Sequence, residues 1–203
     1  MTETQDKILD TAERLFGDQG YAGTSLRQII AEAGVNLAAI HYHFGSKEEL
    51  LDRLVTRKAG PSNDERLALL DRYEAEAGSA PIPVEKLLKA FLEAPMQRVK
   101  SNPEFAKLMG RLYTEGMMPV LAEKHFRTVK SRFTAAFGRS LPGLSEQEVA
   151  LRMQFMVGAM AHTMLFACEQ FSIDGNLLLR ELVAFMVGGL RAPAVRENTE
   201  EIK

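Results

Sequence analysis

Ser25-Leu26-Arg27-Gln28-Ile29-Ile30-Ala31-Glu32-Ala33-Gly34-Val35-Asn36-Leu37-Ala38-Ala39-Ile40-His41-Tyr42-His43-Phe44, residues 25–44, is the stretch on which the fold turns. Ser25 with Gln28 three residues on fits a capping box, so a helix starts here. Leu26, Ile29, Ile30 and Ala33 supply its buried face, and Gly34 suits a left-handed stop. Asn36 is placed to cap a third helix that ends near Phe44. Two helices of about eight residues joined by Ala33-Gly34-Val35-Asn36 have the dimensions of a helix-turn-helix. In the second, Ile40 and Phe44 share one face. At about 100° per residue, Ala38 and Tyr42 point away from it, with Ala39 and His41 on the flanks. Small residues at 38 and 39 leave that helix narrow enough for a major groove. The same geometry also suits a helical hairpin within a bundle. Ser25 and Asn36 also read as caps alone, and Leu37 as an edge of the core.

Outward from this stretch the periodicity stays helical. A first helix is expected from about Asp6 to Asp18, with Ile8, Leu9, Ala12, Leu15 and Phe16 inside and Gly20 as a left-handed cap. Ser46-Lys47-Glu48-Glu49 is a second capping box, opening a fourth helix with Leu50, Leu51, Leu54 and Val55 inside. Gly60-Pro61 is expected to end it, and Asn63 to Ala77 to form the next. Pro83 opens a helix that Pro95 kinks, Asn102-Pro103 caps and starts another, and Pro119 starts or kinks a segment ending near Gly138. Ser145-Glu146-Gln147-Glu148 is a third box, before a long apolar helix to about Phe171. Asp174-Gly175 reads as a turn and Asn176 as the cap of the last helix. The expectation is all-α with about nine helices: a head over 1–46, a larger helical part over 47–191 and a polar tail over 192–203.

Composition excludes more than it names. The chain of 203 residues has a net charge of −2, and residues 1–58 carry seven Lys/Arg against nine Asp/Glu, so bulk charge gives no hint of nucleic acid. One cysteine leaves no room for a disulfide framework or a cysteine zinc site, which points to a reducing cytoplasm. The opening residues lack a signal-peptide pattern, and the apolar run Phe155–Cys168 is short for a bilayer. His41 and His43, two apart on a helix, point about 200° from each other and cannot chelate one metal. His162 and Cys168, six apart, do not meet as a base and nucleophile. His162 reads as a core histidine or a ligand contact, and Cys168 as a small buried hydrophobe or a redox sensor. Neither an enzyme nor a cofactor is expected.

The order Ile8-Leu9-Asp10-Thr11-Ala12, Leu15-Phe16, Gly20-Tyr21, Thr24-Ser25-Leu26-Arg27-Gln28-Ile29, Ala33-Gly34-Val35 and Ile40-His41-Tyr42-His43-Phe44-Gly45-Ser46-Lys47-Glu48-Glu49-Leu50-Leu51 resembles the DNA-binding domain of the TetR family. Members bind palindromic operators as dimers through their last two long helices and take effectors among the middle ones. The resemblance implies that Thr24, Ser25, Arg27, Asn36, Leu37, Ala38, Ala39, His41, Tyr42, His43 and Lys47 form the DNA face. Ser25 and the start of the second helix meet a phosphate, Arg27 a base edge, and His43 and Lys47 phosphates. Leu37, Ala38 and Ala39 have only apolar contacts to offer. His41 stands where the family usually has tyrosine. Part of the chain, Ala39–Lys47 followed by Pro61–Asp71, is also similar to members that respond to fatty-acid derivatives.

The larger part carries no motif but is rich in methionine, which adapts to varied apolar guests. A cavity for a small apolar effector is expected among Met96, Met109, Leu112, Tyr113, Met117, Met156, Met160, His162 and Met164. The helices over 145–171 and 176–189 are apolar around most of their circumference. They make Met153, Val157, Gly158, Ala161, Leu165, Leu182, Phe185 and Met186 the expected homodimer interface. The expected mechanism is repression by operator occupancy, with effector binding shifting the fourth helix. The alternative is a helical interaction protein whose helix-turn-helix no longer binds DNA.

Overall fold

Capping chemistry sets the starts of the helices. The computed structural model describes residues 3–170 and 174–195. Its regular elements are α1 (Glu3–Gly23), α2 (Leu26–Ala33), α3 (Leu37–His43), α4 (Lys47–Ala77), α5 (Val84–Ser101) and α6 (Pro103–Thr114). After these come α7 (Met118–Leu121), a π-helical turn (Ala122–Phe126), α8 (Arg127–Ser140), α9 (Glu146–Gln170) and α10 (Gly175–Arg191). The protein is all-α, with no strand among the described residues.

Ser145 and Glu148 form a reciprocal box: Ser145 Oγ accepts from the Glu148 N–H (3.3 Å) and Glu148 Oε2 accepts from the Ser145 N–H (2.8 Å). The other two boxes are half-formed. Ser25 accepts from the Gln28 N–H and Ser46 from the Glu49 N–H, but the Gln28 amide turns to Gln19 and Glu32, and the Glu49 carboxylate to Arg53. Gly34 adopts the expected left-handed cap, φ 65° and ψ 33°. Asn102 caps α6 by accepting from the Phe105 N–H, with Pro103 at the first turn.

Three expectations change. Gly20 has a positive φ of 80° but an extended ψ of 163°, so it is a bend rather than a left-handed cap. The helix expected to stop at Gly60-Pro61 runs on to Ala77 as α4. Pro61 removes the N–H that would serve the Arg57 carbonyl. The helix persists because Ala59, Ser62, Asn63 and Arg66 are buried on both sides of the proline, so tertiary packing overrides the local signal. Asp174, not Asn176, caps α10, accepting from the Asn176 N–H at 3.2 Å. The tail expected at 192–203 lies outside the described residues from 196 on.

Two cores organise the chain. Ile8, Leu9, Leu15, Phe16, Ile29, Ile40 and Phe44 pack with Leu50, Leu51, Leu54 and Val55 of α4 and with Phe105, Leu108 and Leu112 of α6. The second core gathers α5, α8, α9 and α10 around Leu88, Phe91, Phe133, Phe137, Met156 and Met186. The three-helix head is therefore not closed off at residue 46. α6 belongs to both halves, meeting α1 on one side and α9 on the other. Gly110 makes the second crossing possible: a Cβ there would lie 2.6 Å from that of Leu165.

Candidate nucleic-acid interface and ligand cavity

α3 is anchored by Ile40 and Phe44, both buried, and this turns Ala38 and Tyr42 outward; Tyr42 is 85% exposed. Ser25, Arg27, Asn36 and His41 are exposed around it, while His43 and Lys47 are half-buried. The side chains of Leu37 and Ala39 lie outside the described ones. His41 Nδ1 is 3.2 Å from the Gly45 carbonyl, so that nitrogen is the donor and Nε2 is left to face outward. His43 Nδ1 accepts from the Gln5 amide at 3.4 Å. Lys47 Nζ sits 4.2 Å above the Tyr21 ring, whose hydroxyl donates to Glu48 at 3.1 Å. Burial, with Glu48 beside it, pushes the Tyr21 phenol up to about 12, so it stays a neutral donor.

Thr24 departs from the expected set. It is 2% exposed, and its hydroxyl is directed at the carbonyls of Gly20 (2.8 Å) and Leu15 (3.1 Å). The side chain ties the end of α1 to the start of α2 and leaves the surface to Ser25.

The acidic balance of residues 1–58 is resolved by placement. Glu3 pairs with Lys7, Asp6 and Asp10 with Arg57, Glu13 with Lys58, Asp18 with Lys107, and Glu32 with Arg14. Glu48 accepts from Tyr21, Glu49 pairs with Arg53, and Asp52 with Lys124 and His125. All nine carboxylates are engaged. Burial alone would raise the Asp52 carboxyl, but Lys124 and His125 outweigh it and hold it below the usual carboxylate range.

The face of α6 towards α1 sets Leu108 and Leu112 in the head core and, beside them, grips backbone through polar side chains. Arg111 donates to the Gly17 and Asp18 carbonyls (2.6 and 2.9 Å), and Glu115 accepts from the Tyr21 N–H at 3.0 Å just after the Gly20 bend. The opposite face of α6 lines an apolar cavity of about 50 Å³ free space. Phe105, Met109 and Tyr113 meet Val157, Met160, Ala161 and Met164 of α9 there, together with Met118, Phe126 and Pro95. Of the expected effector residues, Met109, Tyr113, Met160 and Met164 line this cavity. Met96 and Met156 are buried in the body core, Leu112 is in the head core, Met117 packs against it, and His162 is exposed. The sequence reading missed the polar end of the cavity: Ser62, Asn63 and Arg66 of α4 and Arg98 of α5. The i, i+1, i+4 spacing of Ser62, Asn63 and Arg66, which sets Arg66 one turn from both of the others, was a usable signal, hidden by ending the fourth helix at Pro61.

The expected interface residues mostly point inward. Met153, Ala161, Leu182 and Met186 are buried within the single chain, and Val157 lines the cavity. Gly158 approaches Tyr113, and Leu165 meets Gly110, so the small residues on α9 serve α6. Phe185 fits the expectation at 74% exposed, and Phe155, Leu151 and Leu177 are the exposed apolar residues that reading missed. The reason is registry: a helix apolar all round gives no sequence sign of which face its own core takes. By length and composition α9 is long and apolar enough to cross a membrane over Glu146–Phe166, longer than the run read from sequence, and 28% of its apolar window is buried. Cys168 lies in α9 with its side chain outside the described ones.

The chain matches the family described as bacterial regulatory proteins, tetR family, over residues 8–54, and the tetracyclin repressor-like C-terminal domain over residues 85–189. It is 30% identical to the uncharacterized HTH-type transcriptional regulator YerO of Bacillus subtilis over 119 residues, 59% of this chain and 38% of that one. The chain thus spans well under half of that relative. It is 27% identical to the HTH-type transcriptional regulator AcrR of Shigella flexneri, covering 96% of this chain and 95% of that one. A TetR-like transcriptional regulator from Rhodococcus sp. RHA1 has the same fold, with a TM-score of 0.64 at 19% identity over 92% of this chain and 95% of that one. The outward face of α3, the engaged carboxylates and both family matches converge: this chain belongs to the TetR family of helix-turn-helix, DNA-binding transcriptional regulators, which are not enzymes.

Proposed function

We propose that this protein is a cytoplasmic repressor that occupies a palindromic operator as a homodimer and leaves it when a small apolar effector fills the cavity. The observation that carries the reading is α3, pinned by Ile40 and Phe44 so that Ala38, His41 and Tyr42 face outward beside Ser25, Arg27, His43 and Lys47. Asn36, Leu37 and Ala39 complete the proposed DNA face. The head over residues 1–46 reads DNA and residues 47–191 bind effector and dimerise, with the first turns of α4 shared. Exposed Phe155 and Phe185 on α9 and α10 support a four-helix contact between two copies. The two faces of α6 support the coupling. A guest that displaces Met109 or Tyr113 moves the helix whose Arg111 and Glu115 hold the end of α1. Only a difference in effector affinity between the two states can drive release.

The test is a salt titration by fluorescence anisotropy on an operator selected in vitro. Lys47→Ala should weaken all operator variants alike and reduce the salt slope by about 0.9 for each phosphate no longer neutralised, one per protomer. Arg27→Ala should relax preference at one base pair per half-site, by about 1–3 kcal/mol per contact. Wild-type protein with no operator preference over random duplex would leave a helical interaction protein instead.

A further inference from the structure

Arg66 is 4% exposed, deep at the polar end of the cavity, and its surroundings are unusual for a buried cation. Nε donates to the Phe91 carbonyl at 2.7 Å, which needs a donor because Pro95, four residues on, has no N–H to return. Nη1 donates to Asn63 Oδ1 at 3.2 Å, and Nη2 reaches only the Met160 thioether at 3.5 Å. Asn63 is itself committed, donating to the His125 carbonyl at 3.0 Å. Among the described residues no carboxylate pairs with Arg66. Burial pulls its guanidinium down to about 10, still charged at neutral pH. A carbonyl, an amide and the Phe91 ring, whose centroid lies 4.6 Å from the guanidinium carbon, meet the cation with dipoles and a ring face but with no opposite charge, an arrangement a chain seldom keeps in its interior. Beside it, buried Ser62 Oγ has no hydrogen-bond partner. Nε of Arg98, another lining residue, is also unpartnered, although its Nη2 pairs with Glu65. The rest of the wall is apolar or aromatic, with four methionines, Phe105, Tyr113 and Phe126 among small aliphatic residues.

We infer that the otherwise apolar effector carries one anionic end and is a monoanionic amphiphile, its carboxylate taken by Arg66 and Ser62 and its hydrocarbon part lying among Met109, Met118, Met160 and Met164. This rests on reading the cavity as the effector site. A planar guanidinium fork suits a carboxylate, and the buried setting strengthens the pair. The free space is small, so the guest enters by repacking methionines, whose three rotatable bonds permit it. The anion occupies the end formed by α4, beside the π-helical turn, while the tail presses on α6. Both helices that reach the head are therefore touched by one ligand.

The experiment is calorimetric titration of the full chain with octanoate, octan-1-ol and octyltrimethylammonium, below their aggregation concentrations. Wild type is expected to bind octanoate at least about 10-fold tighter than octanol, the effect of one charge-assisted contact, and octyltrimethylammonium weakest. Arg66→Met, checked for fold by circular dichroism, should abolish the octanoate preference and leave octanol affinity unchanged. Ser62→Ala should cut the preference by about 3-fold. The wild-type ratio decides the matter even if Arg66→Met fails to fold. Octanol or the cation binding as tightly as octanoate would overturn the anion assignment and spare the apolar cavity. A preference that survives Arg66→Met would place the anion elsewhere. No binding by any of the three would remove the cavity itself as the effector site.

Discussion

Glu13 and Arg66 are both charges buried where helices cross, and the protein treats them differently. Glu13 sits at the junction of α1, α4 and the start of α6, 2.6 Å from Lys58 Nζ and 3.9 Å from Arg57, and it accepts from Asn102 Nδ2 at 2.9 Å. Arg66 faces carbonyl, amide, thioether and the Phe91 ring in the cavity wall, none of them an opposite charge. A buried charge whose partners are all present acts as a staple, strongly missed when one member goes. A buried charge without an opposite one is held at a cost, and that cost is recoverable when an anion arrives. The junction is built to stay and the cavity to be completed.

Removing the staple should have the largest effect. Glu13→Ala strands Lys58, Arg57 and Asn102 at the junction and is expected to cost about 3 kcal/mol in urea denaturation, at the lower end for a broken buried pair because its partners are partly exposed. A cost below about 1 kcal/mol would mean that packing alone holds head to body. Gly20→Ala tests the neighbouring grip. A side chain there meets the Glu115 carboxylate, and the backbone is one only glycine adopts freely, so about 1–3 kcal/mol should be lost. Thermal melting that shows no change would sink the view that Glu115 fixes that bend.

On the cavity side the expected numbers are smaller. Pro95→Ala returns an N–H to the Phe91 carbonyl, so it should stabilise more in an Arg66→Met background than in wild type, by about 1 kcal/mol. Strict additivity in that double-mutant cycle would show that Arg66 does not serve the carbonyl. Arg66→Met alone should shift unfolding by less than about 1 kcal/mol, because relief of an uncompensated charge offsets the orphaned carbonyl. A loss as large as that of Glu13→Ala would erase the contrast between the two sites.

Local chemistry made the head legible. Ser25, Gly34 and Ser46 act within three or four residues of themselves, so their caps need no knowledge of the rest of the chain. The alternation that buries Ile40 and Phe44 and exposes Ala38 and Tyr42 is equally a property of one helix. Thr24 and Gly20 were the exceptions: the Thr24 hydroxyl turns back to carbonyls of α1, and the Gly20 bend lies against Glu115 from the end of α6.

The body shows the other case. Methionine content indicated an adaptable interior, yet which methionines line the cavity depended on how α4, α6 and α9 cross, set in part by Gly110 against Leu165. The apolar girth of α9 and α10 was plain in sequence, but the choice between own core and outer surface was made by packing, which left Phe155 and Phe185 outside and Met153 and Met186 inside. Pro61 spelled a helix end that burial on both sides overruled, and with α4 unbroken Arg66 came to face a cavity whose other walls lie about 30 to 100 residues further along the chain. Sequence alone determined what is written within a helical turn or two: the short helices of the head, the caps at Ser25, Gly34 and Ser46, and the outward surface of α3. Tertiary structure alone decided which charges are compensated and which are left open, because a buried charge finds its partner through space and not along the chain.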